Sequence, residues 1–126
     1  MIPKISGNRY VLAVNNLKES ADFYKYKLGF QTVWEGGGWH FLNRDSINIM
    51  LGECPDEKPA SEINCHSYFA YFEVENIDGL AEEFKVSQVE ILHDLENKVW
   101  GQREFSIKTI DGHRITFGEE LKKDKM

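Results

Sequence analysis

The feature that most constrains this chain is internal repetition. Shifting the first half by 60 residues lays Val14 on Val74, Asn16 on Asn76, Leu17 on Ile77, Ala21 on Ala81 and Tyr24 on Phe84. A shift of 66 carries Trp39 to Phe105, Phe41 to Ile107, Asp45 to Asp111, Ile49 to Ile115, Leu51 to Phe117, Gly52 to Gly118 and Glu53 to Glu119. Apolar matches alone would say little, because any two amphipathic βα segments align this way. The matching turn aspartates and Gly-Glu pairs favour duplication, and the six extra residues are placed in a longer loop before Trp100. A chain of this kind folds as two copies of one small unit.

Each copy reads as strand, helix, then three strands. In the first, residues 9–14 are β-branched and aromatic and stop at Asn15-Asn16, where Asn16 is placed to cap a helix. Leu17, Ala21, Tyr24 and Leu28 fall at helical spacing, and Gly29 suits a left-handed helix end. Residues 30–34, 39–42 and 47–51 read as strands, separated by the loop 35–38 and the polar turn 43–46. In the second, residues 69–74 are a strand, Asn76 a cap, and Ile77, Leu80, Ala81 and Phe84 a helical stripe. Strands follow over 89–92, 104–109 and 114–117, with a loop at 94–101 and a hairpin turn at Asp111-Gly112. The expectation is one domain spanning 1–126, with module one over about 9–53, a polar Pro-containing linker over 54–67, and module two over about 68–120.

The chain has 126 residues, which suits one domain rather than two ordinary ones. Apolar residues at 41% and charged residues at 29% allow a packed core and argue against disorder. A formal net charge of −6 argues against binding to a nucleic-acid backbone. Lys122, Lys123 and Lys125 form the one basic cluster and read as a solvated end. No apolar run approaches the roughly 18 residues of a membrane span, so no membrane partner is expected. The N-terminus lacks the apolar run of a signal peptide, and Cys54 and Cys65 have no zinc-type spacing. A cytoplasmic protein with free thiols is expected.

The string YVLAVNNLKESADFYKYKLGF resembles the opening of the vicinal oxygen chelate superfamily, which includes glyoxalase I, extradiol dioxygenases, and fosfomycin- and bleomycin-resistance proteins. WGQREFSIKTIDGHRITFGEE resembles its final hairpin, and GGGWHFLNRDSINIMLGE resembles the corresponding part of bleomycin-resistance proteins. The resemblance covers about residues 9–120. It implies an α+β fold of two βαβββ modules, forming an eight-stranded, incompletely closed, barrel-like mixed sheet with helices outside. It also implies a homodimer, with modules pairing within a chain or swapping between chains.

Enzymes of that superfamily hold one divalent metal through His, Glu or Gln side chains on the first and last strands of each module. Those positions correspond here to Arg9, Phe69, Met50 and Thr116. Arginine is a permanent cation, phenylalanine has no donor, a thioether suits soft ions only, and threonine is a weak neutral ligand. The resemblance to the enzymes therefore stops at the metal, and neither a metal nor another cofactor is expected. His40, His66, His93 and His113 do not supply a paired ligand set. His40, next to Trp39, is the histidine with the best claim to face a cleft and act as a general acid or base.

Without a metal, the cleft becomes a binding pocket for a small molecule. The resemblance implies that Arg9, Phe69, Met50 and Thr116 line its wall, and strand alternation then adds Val11 and Ala13 beside Arg9, Tyr71 beside Phe69, Asn48 beside Met50 and Arg114 beside Thr116. The resemblance adds Trp39, Phe41, Trp100 and Arg103 as ligand-binding candidates. Flat rings on an acidic protein suit a planar, cationic ligand, whereas Arg9, Arg103 and Arg114 would favour an anion. The function expected is sequestration without chemistry, with no catalytic residue. The alternatives are a metal-dependent enzyme of the glyoxalase or dioxygenase type, and a regulatory module with no ligand.

Overall fold

The computed structural model describes residues 2–3, 7–56, 62 and 68–121. Most of the linker, Cys65, His66, the Phe69 side chain and the C-terminal lysines lie outside the described residues. The chain divides into two compact units, Met1–Glu57 and Lys58–Met126.

In the first unit, β1 (Tyr10–Val14) leads into α1 (Leu17–Tyr26), followed by β2 (Gln31–Gly36), β3 (Trp39–Arg44) and β4 (Ile47–Glu53). They form a four-stranded mixed sheet in the order β1-β4-β3-β2. Leu12, Val14, Leu42, Ile49 and Leu51 point to one face and are buried against Ala21, Tyr24 and Leu28. The second unit repeats this with β5 (Tyr68–Glu73), α2 (Ile77–Val86), β6 (Glu90–Asn97), β7 (Gln102–Lys108) and β8 (Arg114–Glu120), in the order β5-β8-β7-β6. Its core is more aromatic: Phe105 stacks on Phe117 with centroids 5.2 Å apart, and Phe84 closes on both rings. The architecture is α+β with eight strands in two sheets, as the sequence implied.

The repeat extends to hydrogen-bond register. Val11 pairs with Met50 and Leu12 with Leu51; sixty and sixty-six residues later, Tyr71 pairs with Thr116 and Phe72 with Phe117. Both helices start as expected. The Asn16 side chain accepts from Glu19 N at 3.0 Å, and the Asn76 side chain from Gly79 N at 3.3 Å. The repeated Gly-Glu pair then gains a physical role. Glu53, at the end of β4, accepts from Leu17 N, while Glu119 on β8 accepts from both Asn76 N and Ile77 N. Each carboxylate satisfies an otherwise unpaired amide at the positive end of its module's helix.

Strand three departs from the expected offset. Trp39 pairs with Gly52, but Gly118 pairs with Glu104, so Trp39 corresponds to Glu104 and His40 to Phe105. The shift for this strand is 65 rather than 66. The cause is turn length. Arg44 and Ile47 flank a two-residue turn with Asp45 at φ 52°, whereas Thr109 and His113 flank three residues, with Gly112 at φ 84°. One residue of slip exchanges the two faces of a strand. The expected loop at 94–101 is also shorter: β6 runs to Asn97 and accommodates extra residues as bulges at Ile91/His93 and His93/Glu96.

Candidate functional site

Each sheet has a face turned away from its helix, and the tryptophans lie on or beside it. In the first unit, Phe41 on β3 lies between Trp34 and Trp39, with centroids at 5.2 and 6.3 Å. Trp39 lies over Gly52, where an added Cβ would meet its ring at 3.0 Å. Asn48, Met50 and Val11 continue the row toward β1. At the end of this face is a shallow pocket of about 230 Å³ with Val11, Ala13, Gly38, Trp39, Gly52 and Cys54 in its wall.

The second unit carries a polar network at the equivalent place. The Tyr71 hydroxyl donates its one proton to Glu104 Oε2 at 2.8 Å, with Gln102 Oε1 3.1 Å from the same oxygen. The Trp100 indole Nε1 donates to the same Glu104 oxygen at 2.8 Å. Burial, and then its hydrogen bond to Glu104, push the Tyr71 phenol up to about 12. Behind it, Ser106 and Thr116 hydroxyls are 3.0 Å apart. Gly118 lets Tyr71 lie across β8, since a Cβ there would be 1.9 Å from the hydroxyl oxygen. The adjoining pocket, about 410 Å³, is acidic, with Glu73, Glu75, Glu119 and Glu120 beside Gln102 and Gly118. The repeat thus gives each module a pocket at the same position, one with Trp39, Cys54 and a single glutamate, Glu53, in its wall and one with four glutamates, of which Glu119 turns to cap α2.

The structure sorts the expected ligand residues accordingly. Trp39, Phe41, Asn48 and Met50 share the open face of the first unit, next to the exposed Arg9. Tyr71, Thr116, Arg114 and Trp100 belong with the open face of the second. Arg103 does not: it points to the helix side, where it holds Asp78 of α2 at 2.8 Å and Asn97 at 3.0 Å, and keeps the Asp78 carboxyl below its usual range. Phe69 cannot be placed, because its side chain is outside the described residues.

His40 also faces the helix. It is buried, with Nε2 2.8 Å from the Thr32 hydroxyl and 3.9 Å from Glu35. His93 is exposed on β6, and His113 is buried in the last hairpin, where burial lowers its imidazole pKa. Residues that sequence reasoning missed are Trp34, Gln102 and Glu104. The Trp100-x-x-x-Glu104 spacing carried a signal for the last, hidden by the one-residue offset.

The residues at the superfamily's metal positions do not fit a metal. Of the positions that the resemblance assigns to metal ligands, Arg9 is exposed, Met50 lies on β4 and Thr116 on β8, and the Phe69 side chain is outside the described residues. These residue types offer a cationic guanidinium, a thioether, a hydroxyl 3.0 Å from that of Ser106 and a ring without a donor atom, with no imidazole or carboxylate among them. Among the described residues, no group of three or more His, Cys, Asp or Glu is arranged to hold an ion.

Comparison with known proteins follows this geometry. The profile of the Glyoxalase/Bleomycin resistance protein/Dioxygenase superfamily matches residues 7–117. A bleomycin resistance protein of Geobacillus stearothermophilus is 32% identical over a 126-residue alignment covering 88% of this chain and 94% of the relative. A glyoxalase/bleomycin resistance protein/dioxygenase structure from Alicyclobacillus acidocaldarius aligns with TM-score 0.80 at 15% identity, covering 93% of this chain and 92% of that one. The bleomycin resistance determinant encoded on transposon Tn5 aligns with TM-score 0.77 at 18% identity, over 92% and 98% of the two chains. Two βαβββ units in matching register, a profile spanning most of the chain and close curated relatives establish that this chain belongs to the Glyoxalase/Bleomycin resistance protein/Dioxygenase superfamily.

Proposed function

We propose that this chain is a metal-free, small-molecule-binding protein of the bleomycin-resistance type, which sequesters its ligand on the ring-bearing open faces without chemical change. The observation that carries this reading is 32% identity to bleomycin resistance proteins along 88% of the chain. Two features support it. Arg9, Phe69, Met50 and Thr116, at the positions that the resemblance assigns to the enzymes' metal ligands, are residue types that do not suit a hard or borderline cation. With Arg103 engaged by Asp78, the pocket of the second unit is dominated by carboxylates, which favours a planar cationic ligand over an anion. The protein would work as a cytoplasmic homodimer, organised as one domain with module boundaries near 9–53 and 68–120.

Titration with bleomycin under calorimetry and thermal melting tests this. A ligand that binds the native state at one hundred times its Kd stabilises by about 2.7 kcal/mol, a shift of several degrees in Tm. Absence of any heat or Tm shift with bleomycin at about 100 μM, together with stoichiometric Zn, Fe, Ni or Mn in untreated protein, would overturn the reading.

A further inference from the structure

We propose that Glu104 is a positioning residue that holds the Trp100 indole in one pose, ready for a planar ligand to stack on it. This rests on the ligand-binding reading above. Trp100 lies in the turn between β6 and β7, closed by Lys98 N donating to Gln102 O at 2.7 Å and Gly101 N to Lys98 O at 3.1 Å. Its residue exposure is 64%, and an indole that exposed is ordinarily free to change rotamer in water. Here it is held at two points. Nε1 donates to Glu104 Oε2 at 2.8 Å, and the Lys98 ammonium lies 5.7 Å over the ring, itself paired with Glu96.

The anchor is fixed in its turn. Glu104 belongs to β7, which is paired on both sides, and its residue exposure is 9%. The oxygen that receives the indole also receives the Tyr71 hydroxyl at 2.8 Å, and Gly118 leaves the space for that phenol. Sheet geometry therefore passes through one carboxylate to a ring on the surface. A plate ordered before binding spares the ligand the cost of ordering it, about 0.5–1.5 kcal/mol for one side chain.

The test combines indole NMR with binding. The three tryptophans give three indole N–H signals, and Trp100→Phe identifies the relevant one. In the wild type, the Trp100 signal should lie downfield and exchange slowly with water despite the ring's exposure. Rapid exchange there would overturn the proposal without any variant. Glu104→Leu should abolish the protection and weaken bleomycin binding several-fold to about tenfold. Glu104→Gln, which keeps an acceptor oxygen, should retain both.

Glu104→Leu with an unchanged Trp100 signal, or with a released indole and unchanged affinity, refutes the positioning role. Lost affinity in Glu104→Gln with Trp100 still protected would also refute it, making the carboxylate a direct ligand contact. If the wild type binds no bleomycin, the functional reading fails, while the exchange data still decide whether Glu104 fixes the ring.

Discussion

Replacing Gly118 by alanine should be far more costly than replacing its repeat partner Gly52. A Cβ at Gly118 would be 1.9 Å from the Tyr71 hydroxyl oxygen and 2.5 Å from Cζ. β8 cannot retreat, because it is paired with both β5 and β7. Tyr71 must therefore swing away, losing its hydrogen bond to Glu104. A hydrogen bond to a charged group is worth about 1.5–3 kcal/mol, and the buried Glu104 is left with one donor fewer. Tyr71 is 44% exposed, so water replaces part of its share. Less flexible alanine in the unfolded chain returns up to about 1 kcal/mol. The net loss should be about 2 kcal/mol, or roughly 5–10 °C in Tm. At Gly52 the nearest atoms are the Trp39 ring edge at 3.0 Å, which needs to move only a few tenths of an ångström, so Gly52→Ala should cost under about 1 kcal/mol.

Urea unfolding measures both losses, and ultraviolet titration against a Tyr71→Phe control follows the phenol. That titration should fall from about 12 in the wild type toward the ordinary tyrosine value in Gly118→Ala. A phenol whose proton is held more tightly in the folded state contributes stability that is complete below pH 10 and is lost as pH rises toward 12. The Gly118→Ala deficit should therefore narrow over that range. A loss no larger than that of Gly52→Ala, or an unchanged tyrosine titration, would refute the reasoning.

Two further outcomes follow from the same geometry. Burial lowers the His113 imidazole, partly offset by Asp111. The stability this confers is present above the usual histidine value near 6.5 and is lost as pH falls through the lower folded value; unfolding curves of His113→Asn against wild type between pH 7 and 4 should isolate that component. Glu119→Ala should cost about 1–2 kcal/mol by urea unfolding and Glu53→Ala about half that, because Glu119 receives two helix amides and Glu53 one.

The parts of the fold legible in the sequence were those fixed by local chemistry. Asn16 and Asn76 cap where their side chains can reach an amide three residues on, and Gly29 sits at φ 79° where a left-handed residue ends α1. The pairing of first and last strands followed the repeat offsets residue by residue. What failed depended on turn length. Asp45-Ser46 and Ile110-Asp111-Gly112 look alike in composition, but they differ by one residue, and that slip turned Trp39 onto Phe105 when its counterpart is Glu104. The claim of His40 to a cleft position rested on its neighbour Trp39; adjacent strand residues face opposite ways, and His40 takes the helix side with Leu42 while Trp39 takes the open face. Arg103, which the resemblance adds to the wall, lies on the helix side next to Glu104 and holds Asp78.

The two modules use one backbone plan to make unlike surfaces. In both, the glycine of the Gly-Glu pair clears space on the open face, and the glutamate turns to the other side and caps the helix. Successive residues serve opposite faces because strand side chains alternate, so the pair can stay fixed while its surroundings diverge. Over Gly52 lies a tryptophan in an apolar row; over Gly118 lies a phenol bonded to a carboxylate. The divergence at 39 and 104 therefore changes the open face of each module without disturbing its helix cap.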